Sequence, residues 1–151
     1  MGPQNNNIYT LEVSIDLDDV INSICAQSAW HCVHNPKLYR ITPDNRRLIT
    51  LKVKEAYDLL TAKAMGYISF ANFNPNIEHA NIRLTFSFRH PFDEALPTQL
   101  RQILENAFAA YALMRCYSGI DDYHATAWRK FSAQLMLAFL RDANHDILTR
   151  A

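Results

Sequence analysis

The last third of the chain constrains its fold more than any other stretch. Two long amphipathic segments, about Pro97 to Tyr117 and about Asp122 to Asp142, are joined by Ser118-Gly119 with Asp121 and Asp122 just beyond. Each spans roughly six turns at the usual helix rise. In the first, Leu100, Ile103, Leu104, Ala107, Phe108, Tyr111 and Met114 form a wide apolar stripe, which Ala109, Ala110 and Ala112 broaden. In the second, Tyr123, Ala127, Trp128, Phe131, Leu135, Ala138 and Phe139 form another, extended by Met136, Leu137 and Leu140. Stripes this wide predict an α-hairpin buried against more than one neighbour. They also predict more apolar surface than one molecule can cover, so that copies or companions take up the rest.

The rest of the chain reads as mixed structure. Tyr9, Leu11, Val13, Ile15 and Leu17 alternate with polar residues, the period of a half-buried strand. Asp18 and Asp19 follow, placed to cap a helix, and Val20, Ile21, Ile24, Cys25, Ser28 and Cys32 then recur at helical spacing as far as His34, before Asn35-Pro36. Thr42-Pro43-Asp44 predicts a second helix, running to about Met65 and closed by Gly66 as a left-handed cap. Residues 67–73 and 82–89 read as two strands around the turn signal Asn74-Pro75-Asn76. A lone hairpin is marginal in water, so it must pack on the helices, pair with the N-terminal strand, or pair with another subunit. The fold class is α+β, mainly α: a helical bundle dominated by the C-terminal α-hairpin, with a β-hairpin and an N-terminal strand. Residues 1–7 read as a flexible N-terminus and 8–151 as a single domain.

Composition narrows the function classes. Fifteen basic and fifteen acidic residues leave a formal net charge of zero, so the chain lacks the footprint of a general nucleic-acid binder and has little repulsion between copies. Three cysteines, Cys25, Cys32 and Cys116, without a CxxC pair, read as buried apolar residues of an intracellular protein. The polar start is not a signal peptide, and no run of eighteen apolar residues predicts a membrane span.

Candidate chemistry meets simpler explanations. His31 and His34 share a helix face but have no second ligand pair, so surface or interface histidines explain them. Asp16, Asp18 and Asp19, and Asp121 and Asp122, sit just before helices, where capping and the helix dipole favour acids. Each cysteine lies on an apolar stripe, where a thiol stays neutral. Arg46, Arg47, Lys52 and Lys54, or Arg83 and Arg89 beside Tyr67 and Phe73, suit phosphates or single-stranded nucleic acid. No RNP-type motif, phosphate loop or zinc knuckle accompanies them, which favours a solvated or subunit-facing surface. No metal, cofactor or catalytic residue is predicted. Trp128 and Tyr123 carry polar tips, as aromatic residues at partner surfaces do.

The order of elements, and the residues Leu104-Glu105-Asn106-Ala107-Phe108-Ala109-Ala110-Tyr111-Ala112-Leu113-Met114-Arg115-Cys116-Tyr117, Gly119 to Asp122 and Ala127-Trp128-Arg129-Lys130-Phe131, resemble head–tail connector (neck or adaptor) proteins of tailed bacteriophages. The resemblance implies a structural virion subunit, made in the bacterial host cytoplasm, in a homo-oligomeric ring between portal and tail. Portal and tail-side neck proteins would be its partners, with DNA only as passing cargo in the channel and no membrane. The interface would use Tyr67, Phe70, Phe73, Arg83, Phe86, Arg89, Tyr123 and Trp128. The chain departs from the usual pattern in leaving only Ala143 to Ala151 as a tail toward the portal. The alternative is a small cytoplasmic α+β ligand-binding module or enzyme, with Asp18, Asp19, His31, His34 or Asp122 in a cleft.

Overall fold

The structure is a computed structural model that describes residues 7–76, 78–117 and 123–134. It is α+β and mainly helical. Strand β1 (Tyr9–Asp16) leads directly into helix α1 (Leu17–His34). A 3-10 turn, Pro43–Asn45, opens helix α2 (Arg46–Lys63). Strands β2 (Ile68–Asn74) and β3 (Asn81–Phe88) form the hairpin, and helix α3 (Leu96–Cys116) follows. Residues 123–134 are helical. Expectations for residues 1–6, for the connection 118–122 with Asp121 and Asp122, and for residues 135–151 with Phe139 lie outside the described residues.

The three strands form one antiparallel sheet in the order β1-β3-β2. The N-terminal strand is therefore the hairpin's partner within the chain. β3 takes the centre because its alternation is the cleanest: Ile82, Leu84, Phe86 and Phe88 are buried while Arg83 between them is exposed. β1 runs opposite it from Tyr9↔Phe88 to Asp16↔Asn81, which sets Leu11, Val13 and Ile15 on the same inner face. β2 pairs from Asn74↔Asn81 to Ile68↔Phe86, with a bulge between Ile68 and Phe70.

Helix α3 packs against β1, α1 and α2. Its residues from Ala107 through Leu113 are all buried, and the small alanines allow neighbours to approach on several sides. Tyr111 meets Trp128 edge-on at 4.9 Å, which seats the 123–134 helix on the same core. The apolar surplus expected on α3 is thus covered within the chain. That overturns the inference that this helix needs a second subunit, because α1, α2 and the sheet supply enough apolar surface to enclose it.

Local chemistry explains the element ends. Asp16, not Asp18 or Asp19, caps α1: its Oδ1 accepts the Asp18 amide at 2.9 Å. Asp18 instead accepts a hydrogen bond from Arg46 Nη1 at 2.5 Å, tying the start of α1 to the start of α2. Asp16→Ala should lower stability by about 1 kcal/mol, measured by chemical denaturation. Before α2, Asn45 Oδ1 accepts the Thr42 amide at 3.0 Å, so the expected helix start is a tight 3-10 turn and α begins three residues later. Helix α2 ends at Ala64, whose amide bonds Leu60 O at 3.0 Å. Gly66 is not in the left-handed region: the Tyr67 amide closes the turn onto Ala64 O at 2.8 Å instead.

Candidate partner interface

A buried polar hub organises one end of the molecule. Tyr117, directly after α3, is fully buried. Its hydroxyl donates to Tyr39 O at 2.9 Å and so receives its bond from Ser28 Oγ, 2.5 Å away. Ser28 Oγ in turn accepts the Ile41 amide at 2.7 Å, and Tyr39 Oη donates to Cys116 O at 2.8 Å. Segment 35–42 is thereby fastened to α1 and to the end of α3, with every buried polar atom of the set partnered, as a low-dielectric site requires. Burial pushes the Tyr117 hydroxyl up to about 12; the Ser28 bond opposes this, and the Cys32 and Tyr39 side chains add to it.

An aromatic and histidine cluster sits beside this hub. His124 is buried, with its ring 4.5 Å from His31, 5.1 Å from Tyr123 and 6.3 Å from Tyr117. His31 also touches Tyr123 at 5.1 Å and Trp30 at 4.9 Å, and Trp30 stacks on His34 at 4.2 Å. The outer rim is apolar and open: Trp30 is 59% exposed, Val33 81% and Tyr123 65%. Trp30, Val33 and His34 lie at i, i+3 and i+4 and so share a face of α1. Large aromatic groups gathered on a surface are the composition of a binding hot spot. Of the exposed rim residues Trp30, Val33 and Tyr123, only Tyr123 was expected at an interface. Trp30 and Val33 were legible as apolar residues lying opposite the Val20, Ile21, Ile24 and Ser28 stripe on the helix wheel.

The other expected interface residues divide. Phe86 is 1% exposed because the alternation of β3 turns it inward, opposite Leu11. Trp128 is buried against Tyr111, with Lys63 Nζ 5.9 Å over its ring. Both are core residues, and neither can meet a partner from the folded chain. Tyr67 and Phe73 are half-buried against the core, and Phe73 lies 5.5 Å from Tyr57 of α2. Arg83 on β3 is exposed, Phe70 on β2 is half-exposed, and Arg89 is exposed in the bend just after β3.

The alternatives find less support in the geometry. Asp18 and His31 stand thirteen residues apart on one helix, about 20 Å by its rise, so among the described residues Asp18 and Asp19 do not converge with His31 and His34. Among the described residues no group of three or more His, Cys, Asp or Glu is placed to hold a metal. A polar cleft of about 570 Å³ does lie between β1, the 78–81 segment and α3, lined by Asp16, Asp18, Asp19, Glu105, Arg101 and His79. Within it Asp16 caps α1 and Asp18 holds Arg46. Four of the basic residues offered to phosphates are matched with acids: Arg46 with Asp18, Arg83 with Glu12 at 2.7 Å, Lys52 with Glu55 at 3.2 Å, and Lys54 with Asp58 at 2.5 Å.

Glu55 also accepts Tyr111 Oη at 3.1 Å and Arg115 Nε at 3.3 Å. Its partial burial pushes the carboxyl up, but Lys52, Tyr111 and Arg115 outweigh that and hold it below the ordinary range. The three cysteines are half-buried free thiols. Burial raises Cys25, and raises Cys116 against the pull of Lys52 and Arg115, which leaves both protonated at neutral pH. No helix among the described residues is long and apolar enough to cross a membrane. Comparison with protein-family models, curated proteins and solved structures finds no match to this chain.

Proposed function

We propose that the chain is a structural assembly subunit of a tailed-phage or prophage neck, forming or joining a ring between portal and tail. The observation that carries this reading is the open apolar rim of Trp30, Val33 and Tyr123. It stands on a hydrogen-bonded base that orders it before any partner arrives, which limits the entropy lost on binding. A heterologous ring sets one surface of each subunit against a different surface of the next copy, a role such a rim can fill. Zero net charge opposes neither self-association nor partner docking. The resemblance in the order of elements and in the Leu104–Tyr117 segment supplies the neck assignment.

The test is binding of the full chain to portal and tail-side neck proteins encoded beside its gene. Replacing Trp30 and Tyr123 together with Ser should weaken that binding at least about tenfold, the effect of losing a single hot spot. The melting temperature should barely change, since both side chains are exposed. Unaltered binding by the double variant, or no binding by the wild-type chain, would contradict the proposal.

A further inference from the structure

β2 differs from the other outer strand in charge and in burial pattern, two of the features that keep sheet edges apart. β1 carries Glu12 and Asp16 and alternates cleanly between buried and exposed positions. β2, Ile-Ser-Phe-Ala-Asn-Phe-Asn, holds no charge and no proline, and its four residues 69–72 are exposed in succession. A strand covered on one face would alternate, so the middle of β2 is open on both faces as well as along its edge. Its bulge lies between Ile68 and Phe70, which leaves regular pairing geometry from Phe70 to Asn74. Such an edge is a template for another strand.

We infer that β2 pairs antiparallel with β2 of a second copy, about a two-fold axis near Ala71, to make one six-stranded sheet. Charge selects this occupant. An isologous contact sets every group near the axis close to its own copy, so any charge there meets its like. The uncharged β2 satisfies that condition, whereas β1 paired with itself would oppose acids to acids. On the solvent face Phe70 of one copy lies across from Asn72 of the other. The two Phe70 rings become diagonal neighbours, about 7–8 Å apart at the backbone and within reach of each other. The contact covers a ring that is 49% exposed in the single chain. This pairing does not depend on the neck assignment.

Sedimentation equilibrium of the full chain tests it, using Phe70→Lys, Phe70→Glu and their equimolar mixture. The wild-type chain should dimerise reversibly in the micromolar range, as a small interface does. Each variant alone should raise the dissociation constant at least tenfold by setting like charges across the axis, and the mixture should restore dimer. Circular dichroism and melting should stay unchanged, because the side chain is already half in water. A wild-type monomer at millimolar concentration overturns the inference. So do variants that dimerise normally, and a mixture that fails to recover. Weakening by Glu with strengthening by Lys would also overturn it, since that pattern marks pairing with the acidic β1 edge of a neighbour. Portal binding does not enter this test, so the two proposals can fail separately.

Discussion

Tyr117→Ala should lower unfolding free energy by about 3–5 kcal/mol, the range for removing a buried aromatic ring, and Tyr117→Phe by about 1–3 kcal/mol. The first loss is a cavity among α1, α3 and segment 35–42. The second is narrower: the ring stays, but Tyr39 O loses its donor and Ser28 Oγ its acceptor. Against a typical total of about 5–15 kcal/mol, the alanine variant approaches loss of fold, and denaturant titration measures both. Alkaline pH probes the same hydroxyl. The folded state holds it near 12 against an ordinary value of 10.0, so folding favours the neutral phenol. Its contribution is complete below pH 10.0 and is lost as pH rises toward about 12. Tyr117→Phe should remove that share of the alkaline fall in stability, leaving the share of the other tyrosines.

Phe86→Ala should be equally damaging to stability, at about 3–5 kcal/mol, because Phe86 is 1% exposed beneath the helices. Phe70→Ala, one strand away, should change stability by less than about 0.5 kcal/mol, as exposed positions do. The contrast is the sharpest check on the register of the sheet. Ile68↔Phe86 and Phe70↔Thr85 are adjacent pairs separated by the bulge. A slip of one residue would exchange inner and outer faces throughout. Thermal melting of the two variants distinguishes the cases: similar losses in both would place β2 or β3 on the wrong face.

Periodicity made the elements legible. Alternation in Ile82 to Arg89 and in Tyr9 to Leu17 marked β3 and β1, and the spacing of Leu100 to Met114 marked α3, because period two and period 3.6 leave distinct traces. Turn chemistry was less faithful. Asp16 took the cap expected of Asp18 and Asp19, since a cap must adopt extended geometry and Asp16 is the last strand residue. Gly66 lost its expected role because the helix ended at Ala64, two residues earlier.

The candidate surface was half legible for a related reason. Stripe width in one helix does not say how many neighbours the same chain provides, so α3 looked underburied and is not. Alternation put Phe86 and Arg83 on opposite faces but did not say which face the helices cover. Trp30 and Val33 were visible only as apolar residues on the wrong side of α1. The Ser28–Tyr117–Tyr39 hub joins residues up to 89 positions apart, and no local pattern records such a meeting.

Sedimentation velocity of the wild-type chain, alone over a wide concentration range and with portal and neck partners added, tests the assembly reading most directly. Mass should grow beyond one chain when partners are present, and the Trp30→Ser, Tyr123→Ser double variant should lose that growth while keeping its melting temperature. A chain that sediments as a single 17.4 kDa particle under every one of these conditions would contradict the account.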